Sequence, residues 1–243
     1  LSKKALAPAR RELLIAFLMV ALPSLLILGQ PDLGTSLLVA ISGLSVIFMA
    51  GIQWRYILSM LFLIGLSIWP AWLFVLKDYQ KQRVLTLFNP ESDRLGAGWN
   101  IIQSKTAIGS GGWEGLGWTQ GSQAQLDFLP EGHTDFIIAV LAEEFGFRGV
   151  ALLFLLYALI LVRGLIISWR AQSSFARLLA GALIATFFFG LIVNVGMVSG
   201  LLPVVGVPLP MVSWGGTAMV SMMIAFGMLM AISTEHPVTQ GMR

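Results

Sequence analysis

The sequence predicts an all-α fold: a polytopic transmembrane helix bundle with a large extracytoplasmic loop containing short amphipathic helices. Three observations predict it. Hydrophobic residues make up 57% of the 243 residues and charged residues only 11%, where a soluble domain carries about 25% charge. Mean hydropathy is +0.84. The apolar residues fall in runs of roughly 20, long enough to cross a bilayer, not in the shorter striped pattern of soluble core helices.

About six spans are expected at that length. The first covers residues 13–28, with Pro23 inside it as a kink. The second covers 33–52 and the third 56–76. A long polar segment, 77–133, follows and reads as one large loop. Within it, Trp99 to Lys105 can form an amphipathic helix lying at the membrane interface, broken by Gly109-Ser110-Gly111-Gly112. Trp113 and Trp118 suit a belt at headgroup level. Residues 135–146 read as a further helix. At 100° per residue, Asp135, Ala139, Ala142 and Gly146 share one narrow face, with Glu143 beside it and Glu144 opposite. The last three spans are expected over 147–167, 178–198 and 218–232.

Lys and Arg near the span ends set the orientation. Lys3, Lys4, Arg10, Arg11, Arg55, Arg163, Arg170 and Arg177 fall on one side, predicted to be cytoplasmic. The links 29–32 and 200–216 on the other side hold no Lys or Arg. The large loop carries Lys77, Lys81, Arg83, Arg94 and Lys105, but long loops follow the charge rule poorly. It therefore faces outward.

Composition excludes several classes. The net charge of +3 comes from scattered basic residues without interleaved aromatics, so no nucleic-acid partner is expected. There is no cysteine, hence no disulfide or thiol chemistry. The two histidines, His133 and His236, lie far apart, and no Cys/His cluster suggests zinc. The chain opens on Leu1 without a complete signal-peptide pattern, and we expect it to be the C-terminal part of a longer protein.

The stretch 127–136, Asp-Phe-Leu-Pro-Glu-Gly-His-Thr-Asp-Phe, carries the strongest functional signal. It places a carboxylate, Asp135, where the chain returns to the membrane. A carboxylate there is costly to desolvate and marks a functional site; a solvated helix cap is the other reading, and the residues alone leave both open. The glycine-rich stretch 109–117 lacks a preceding strand and is not a dinucleotide loop. The stretch 200–210 is apolar yet full of helix breakers, which fits a re-entrant or interfacial loop. Asp32 reads as an N-cap, structural or site-supporting, with a direct chemical role as its other reading, and Asn194, in mid-span, as interhelical glue rather than a ligand contact.

Taken together, Gln30-Pro-Asp-Leu-Gly-Thr-Ser36, Asn89-Pro-Glu-Ser-Asp93, Gln103 to Gly112, Phe128 to Phe136, Ala142-Glu-Glu144, Pro203 to Pro210 and Ser213-Trp-Gly-Gly216 resemble the SEDS family (shape, elongation, division and sporulation), in its RodA-like branch. The resemblance runs over essentially the whole chain. It departs at Arg94, where proline is common, and at Trp99 and Trp214, where tyrosine is common. Members have about ten spans, so the first four are expected to lie outside this sequence.

The resemblance implies a peptidoglycan glycosyltransferase of the bacterial cytoplasmic (inner) membrane, with its active site on the outer face. Its implied substrates are lipid II and the growing glycan strand. Its implied partners are a class B penicillin-binding protein, elongation-complex proteins and membrane lipid. The family's essential aspartate falls on Asp135. Inversion at the anomeric carbon suits a single carboxylate acting as general base, whereas retention needs two carboxyls about 5 Å apart. The leaving pyrophosphate needs positive charge. Arg83 and Lys105 are the candidates, with headgroup contact as their other reading; a divalent cation, magnesium or manganese, is the alternative source, with no ligands assignable. No organic cofactor is expected. His133, Thr134 and Glu143 are further substrate-binding candidates. A lipid II flippase is the alternative function, and a non-catalytic scaffold a third. A flippase needs polar groups through the whole bilayer depth, whereas the ionisable residues here gather at the outer rim.

Overall fold

The structure, a computed structural model, describes residues 10–30, 32–93, 96–126 and 128–235. Lys3, Lys4, Pro31, Arg94, Asp127 and His236, all named above, lie outside the described residues. Every regular element among the described residues is helical. Four helices are long and apolar enough to cross a membrane: α1 (Arg10–Gly29), α7 (Ile137–Arg170), α8 (Ser174–Val198) and α9 (Gly216–Thr234). The other two expected spans are shorter apolar helices. The first of these, α2 (Leu33–Met49), stops at the Ala50-Gly51 turn, short of the expected residue 52. The second, α3 (Trp54–Pro70), changes to a π-helical turn over Ala71–Val75.

α1 and α2 form a hairpin. The Ser36 hydroxyl donates to the Ser24 carbonyl at 2.7 Å in its buried seam. Pro23 sits inside α1 without ending it. Asp32 caps α2 as expected, its Oδ1 accepting from the Thr35 amide at 3.0 Å. α2 also packs on α8. Phe187 of α8 meets Tyr157 of α7 and Phe226 of α9 edge-on, with ring centroids 5.4 and 5.6 Å apart. That aromatic chain joins the last three spans. Leu14, Leu22, Leu58, Phe62, Leu155 and Met230 face outward, as side chains meant for lipid do.

The large loop is mostly helix: α4 (Asp78–Phe88), a 3₁₀ turn (Pro90–Ser92), α5 (Ala97–Gly111) and the short α6 (Ser122–Gln125). The expected amphipathic helix is therefore longer than Trp99 to Lys105. It passes through Gly109 and stops at Gly112. Its buried face packs on two spans: Gly111 lies against Ala142 of α7, and the Ser104 hydroxyl donates to the Val198 carbonyl of α8 at 2.8 Å. Small residues permit this, since a methyl group added at Gly111 would overlap the Ala142 carbonyl.

The helix expected over 135–146 and the fourth span are one element, α7, kinked at Gly146. That residue has φ 62°, ψ −162°, a region essentially closed to side-chain-bearing residues. The glycine-rich stretch supports the kink. Leu116 and Gly117 amides donate to the Glu143 and Glu144 carbonyls at 2.9 and 3.0 Å, and the Phe147 amide donates to Gly112 at 2.9 Å. Trp113 stacks on Phe147 at 4.9 Å.

Between α8 and α9 the chain forms an irregular loop packed into the protein. Val205, Val207 and Leu209 are buried. The Pro210 carbonyl accepts from the Tyr157 hydroxyl at 2.7 Å. Gly34 of α2 packs so closely that a Cβ there would lie 2.6 Å from the Val205 carbonyl oxygen.

Candidate functional site

Asp135 lies in the turn before α7, not on the helix, because α7 begins at Ile137. It therefore does not share a helical face with Ala139, Ala142 and Gly146. Its carboxylate instead faces the α8–α9 loop: a Cβ at Gly206 would sit 3.3 Å from Asp135 Oδ2. Gly206 has φ +71°, so glycine serves there both for the left-handed backbone and for the close approach. Asp135 is half-buried. Burial, and then the Glu131 carboxylate, hold its carboxyl above the usual range. Both effects disfavour the charged form.

The main chain around Asp135 is tied down from the far side. The His133 carbonyl accepts from the Trp214 amide at 3.0 Å. The Thr134 carbonyl accepts from the Ser213 hydroxyl. The Asp135 carbonyl accepts from the Asn194 side-chain amide at 2.8 Å, and the same amide donates to the Val207 carbonyl at 2.7 Å. Asn194 thus joins a turn to a loop rather than helix to helix, which corrects its reading as interhelical glue. The Thr134 hydroxyl donates to Glu131 Oε2 at 2.6 Å. The exposed His133 side chain lines an open cleft of about 620 Å³ with Trp214, Gly215 and Met219.

The other candidates are placed differently. Lys105 reaches the same loop, its side chain lying over Gly200, at the C-terminal end of α8 where a cation is favoured. Arg83 sits on α4 with its guanidinium 5.9 Å from the Tyr79 ring centroid; no contact brings it to Asp135. Glu143 is fully buried, and its Oε1 accepts from the Gln123 amide at 2.9 Å and the Ser122 hydroxyl at 3.4 Å. Glu144, also buried, accepts from the Thr119 amide at 3.1 Å. Both glutamates are turned into loop 119–123. Asp32 stands at the start of α2, whose Gly34 touches Val205. It caps the helix that supports the loop.

Among the described residues no three His, Asp or Glu side chains are grouped to hold a metal ion. The arrangement does offer one half-buried carboxyl whose charged form is disfavoured, on a hydrogen-bonded turn whose residue His133, with Ile137 just beyond, lines an open cleft. Asn194, Ser213 and Glu131 were not singled out as site residues from sequence. For Glu131 the signal was present, four residues ahead of Asp135 in the same acidic stretch.

The family model described as "Cell cycle protein" (FtsW, RodA, SpoVE) matches residues 1–237. The peptidoglycan glycosyltransferase MrdB of Escherichia coli (strain K12) is 54% identical over 229 residues, covering 94% of this chain and 62% of MrdB. The peptidoglycan glycosyltransferase RodA of Treponema pallidum (strain Nichols) is 44% identical over 162 residues, or 67% of this chain and 37% of that protein. A chain solved in work on the structural coordination of polymerization and crosslinking by a peptidoglycan synthase complex superposes with TM-score 0.71 at 31% identity, covering 90% of this chain and 60% of that one. The rod shape determining protein RodA of Thermus thermophilus gives TM-score 0.57 at 26% identity, over 93% and 58%. The sequence thus spans under two thirds of the length of these relatives. The chain belongs to the FtsW, RodA and SpoVE family of cell cycle proteins.

Proposed function

We propose that this chain carries the catalytic centre of a peptidoglycan glycosyltransferase that polymerises lipid II, with Asp135 as general base. The observation that carries the reading is the Asp135 carboxyl itself. It is held against Gly206, its affinity for protons is raised, and it sits in a chain 54% identical to a peptidoglycan glycosyltransferase. A base works best when its pKa approaches the working pH. The acceptor sugar hydroxyl gives its proton to the Asp135 carboxylate. Its oxygen bonds to the donor's anomeric carbon as the bond from that carbon to the lipid pyrophosphate breaks. Attack from the face opposite the leaving group inverts the centre.

The departing pyrophosphate gains charge that a fixed cation stabilises. Lys105 suits this role better than Arg83, because it reaches the loop that Asp135 faces. Among the described residues no three His, Asp or Glu side chains are grouped as ligands for a divalent cation. The site lies on the outer face of the cytoplasmic membrane in this reading, and a class B penicillin-binding protein crosslinks the product. The test is polymerisation of purified lipid II by the full-length protein with that partner. Glycan strands of many repeats are expected. Lipid II moved across a vesicle bilayer without polymer would favour a flippase instead.

A further inference from the structure

We propose that Asn194 and Ser213 are positioning residues that set the Asp135 carboxylate against the α8–α9 loop. The proposal deepens the reading of Asp135 as general base and rests on it. Three consecutive carbonyls, those of His133, Thr134 and Asp135, each accept a hydrogen bond from outside their own segment. The donors are the Trp214 amide, the Ser213 hydroxyl and the Asn194 side-chain amide. A turn pinned at three successive peptide units cannot rotate one unit without breaking a bond to another.

The two side chains hold the opposing wall as well. The second Asn194 hydrogen goes to Val207, the neighbour of Gly206. Ser213 Oγ accepts from the Leu209 amide at 2.7 Å. Each side chain therefore ties the segment bearing the carboxylate to the loop that the carboxylate faces. Gly206 fixes that approach, since an added Cβ would come within 3.3 Å of Asp135 Oδ2. Position along the chain cannot do this alone, because Asp135 and Gly206 belong to different connections of the bundle.

Packing alone does not account for Asn194. It is fully buried in an apolar helix, where an aliphatic residue avoids the cost of burying an amide. Its Oδ1 is buried without a partner. Both of its hydrogens are used, and both go to non-helical backbone. An amide that holds no other helix and leaves its own oxygen unsatisfied is retained for the two carbonyls it donates to.

The test uses the full-length protein with its transpeptidase partner and purified lipid II. Activity is expressed per folded molecule, with the folded fraction taken from monodispersity and melting. The variants are Asn194→Leu, Ser213→Ala and Ser213→Thr, beside Asp135→Asn. Misplacing a reacting group by about 1 Å costs on the order of 100-fold in rate. Asn194→Leu is expected to lower kcat by roughly 10- to 100-fold and Ser213→Ala by about 10-fold, with KM for lipid II changed less than about threefold. Ser213→Thr, which keeps a hydroxyl donor, recovers most of the loss.

The acidic limb of the pH–rate profile gives a readout that a merely structural role would not move. A carboxyl freed from its seat reaches water, so the limb shifts to lower pH. The charged group beside it is Glu131; His133 is the other titratable residue of its turn, and Lys105 lies over Gly200, six residues from Gly206. The loop 200–216 contains no charged residue, and α8 has only Arg177 at its far end. Unchanged kcat and an unmoved limb in folded Asn194→Leu and Ser213→Ala would overturn the proposal. So would a loss confined to KM or to the amount of folded protein. If Asn194→Leu does not fold, the Ser213 pair decides. An active Asp135→Asn would remove the general-base reading itself. An inactive one beside wild-type-like Asn194→Leu and Ser213→Ala would remove only the positioning role.

Discussion

Asp135 gives up its proton reluctantly, first because burial disfavours the charge and second because Glu131 is close. A general base must be ionised to act, so activity should fall as pH drops through this raised value. Glu131→Gln removes the neighbouring negative charge yet keeps an acceptor for the Thr134 hydroxyl. Its expected effect is to move the acidic limb of kcat/KM to lower pH, by part of the displacement only, since burial remains. A limb that stays in place would show that Glu131 does not tune the base. The same shift has a consequence for stability. A carboxyl whose pKa is higher folded than unfolded adds stability below its unfolded value and loses it as pH rises through its folded value. At neutral pH the charge is therefore a cost, and Asp135→Asn should melt no lower than the parent. Asp135 was legible in the sequence, because a carboxylate at the return to an apolar run stands out. Asn194 and Ser213 were not, because their partners lie 59 and 79 residues away, and no local pattern records a bond of that reach.

The helix α7 depends on two close approaches that sequence spacing only hinted at. Gly111 lets α5 lie against α7, and Gly146 supplies the kink that the 112–117 stretch caps. Gly111→Ala would drive a methyl group into the Ala142 carbonyl. Overpacking of this kind costs about 1–3 kcal/mol, so a clearly lower melting temperature is expected, with polymerisation falling as the folded fraction falls. A variant that melts like the parent would mean that the α5–α7 seam is looser than described. The apolar runs announced the spans because their length is a strong signal. The boundaries were less legible. Nothing local distinguishes α5 as a packed helix from an interfacial one until its small face meets α7. Glu143 carried a misleading signal too: a carboxylate near a candidate site reads as substrate binding, whereas Glu143, like Glu144, fastens loop 119–123.

Across the whole molecule, three basic residues and the Asp135 carboxyl fall at opposite ends of α7 and α8. The 34 residues of α7 run from the turn at Asp135 to Arg170, so the basic residues Arg163, Arg170 and Arg177 stand at the opposite end from the carboxylate. If the basic end is cytoplasmic, single cysteines at Ser92 and Ser122 should react with a membrane-impermeant thiol reagent in intact cells, and one at Ser173 should not. These 243 residues contain no cysteine, so any cysteine elsewhere in the full-length protein is replaced before labelling. Labelling at Ser173 alone would invert the topology and take the outer-face site with it. The central claim, that Asp135 is the base for glycan polymerisation, is tested most directly by one comparison. Asp135→Asn is made in the full-length protein, purified with its transpeptidase partner, and given lipid II beside the parent. The account predicts normal yield and partner association with polymerisation reduced by about 10²- to 10⁴-fold, the usual worth of a general base. Glycan strands formed at near the parental rate by the Asn variant would contradict it.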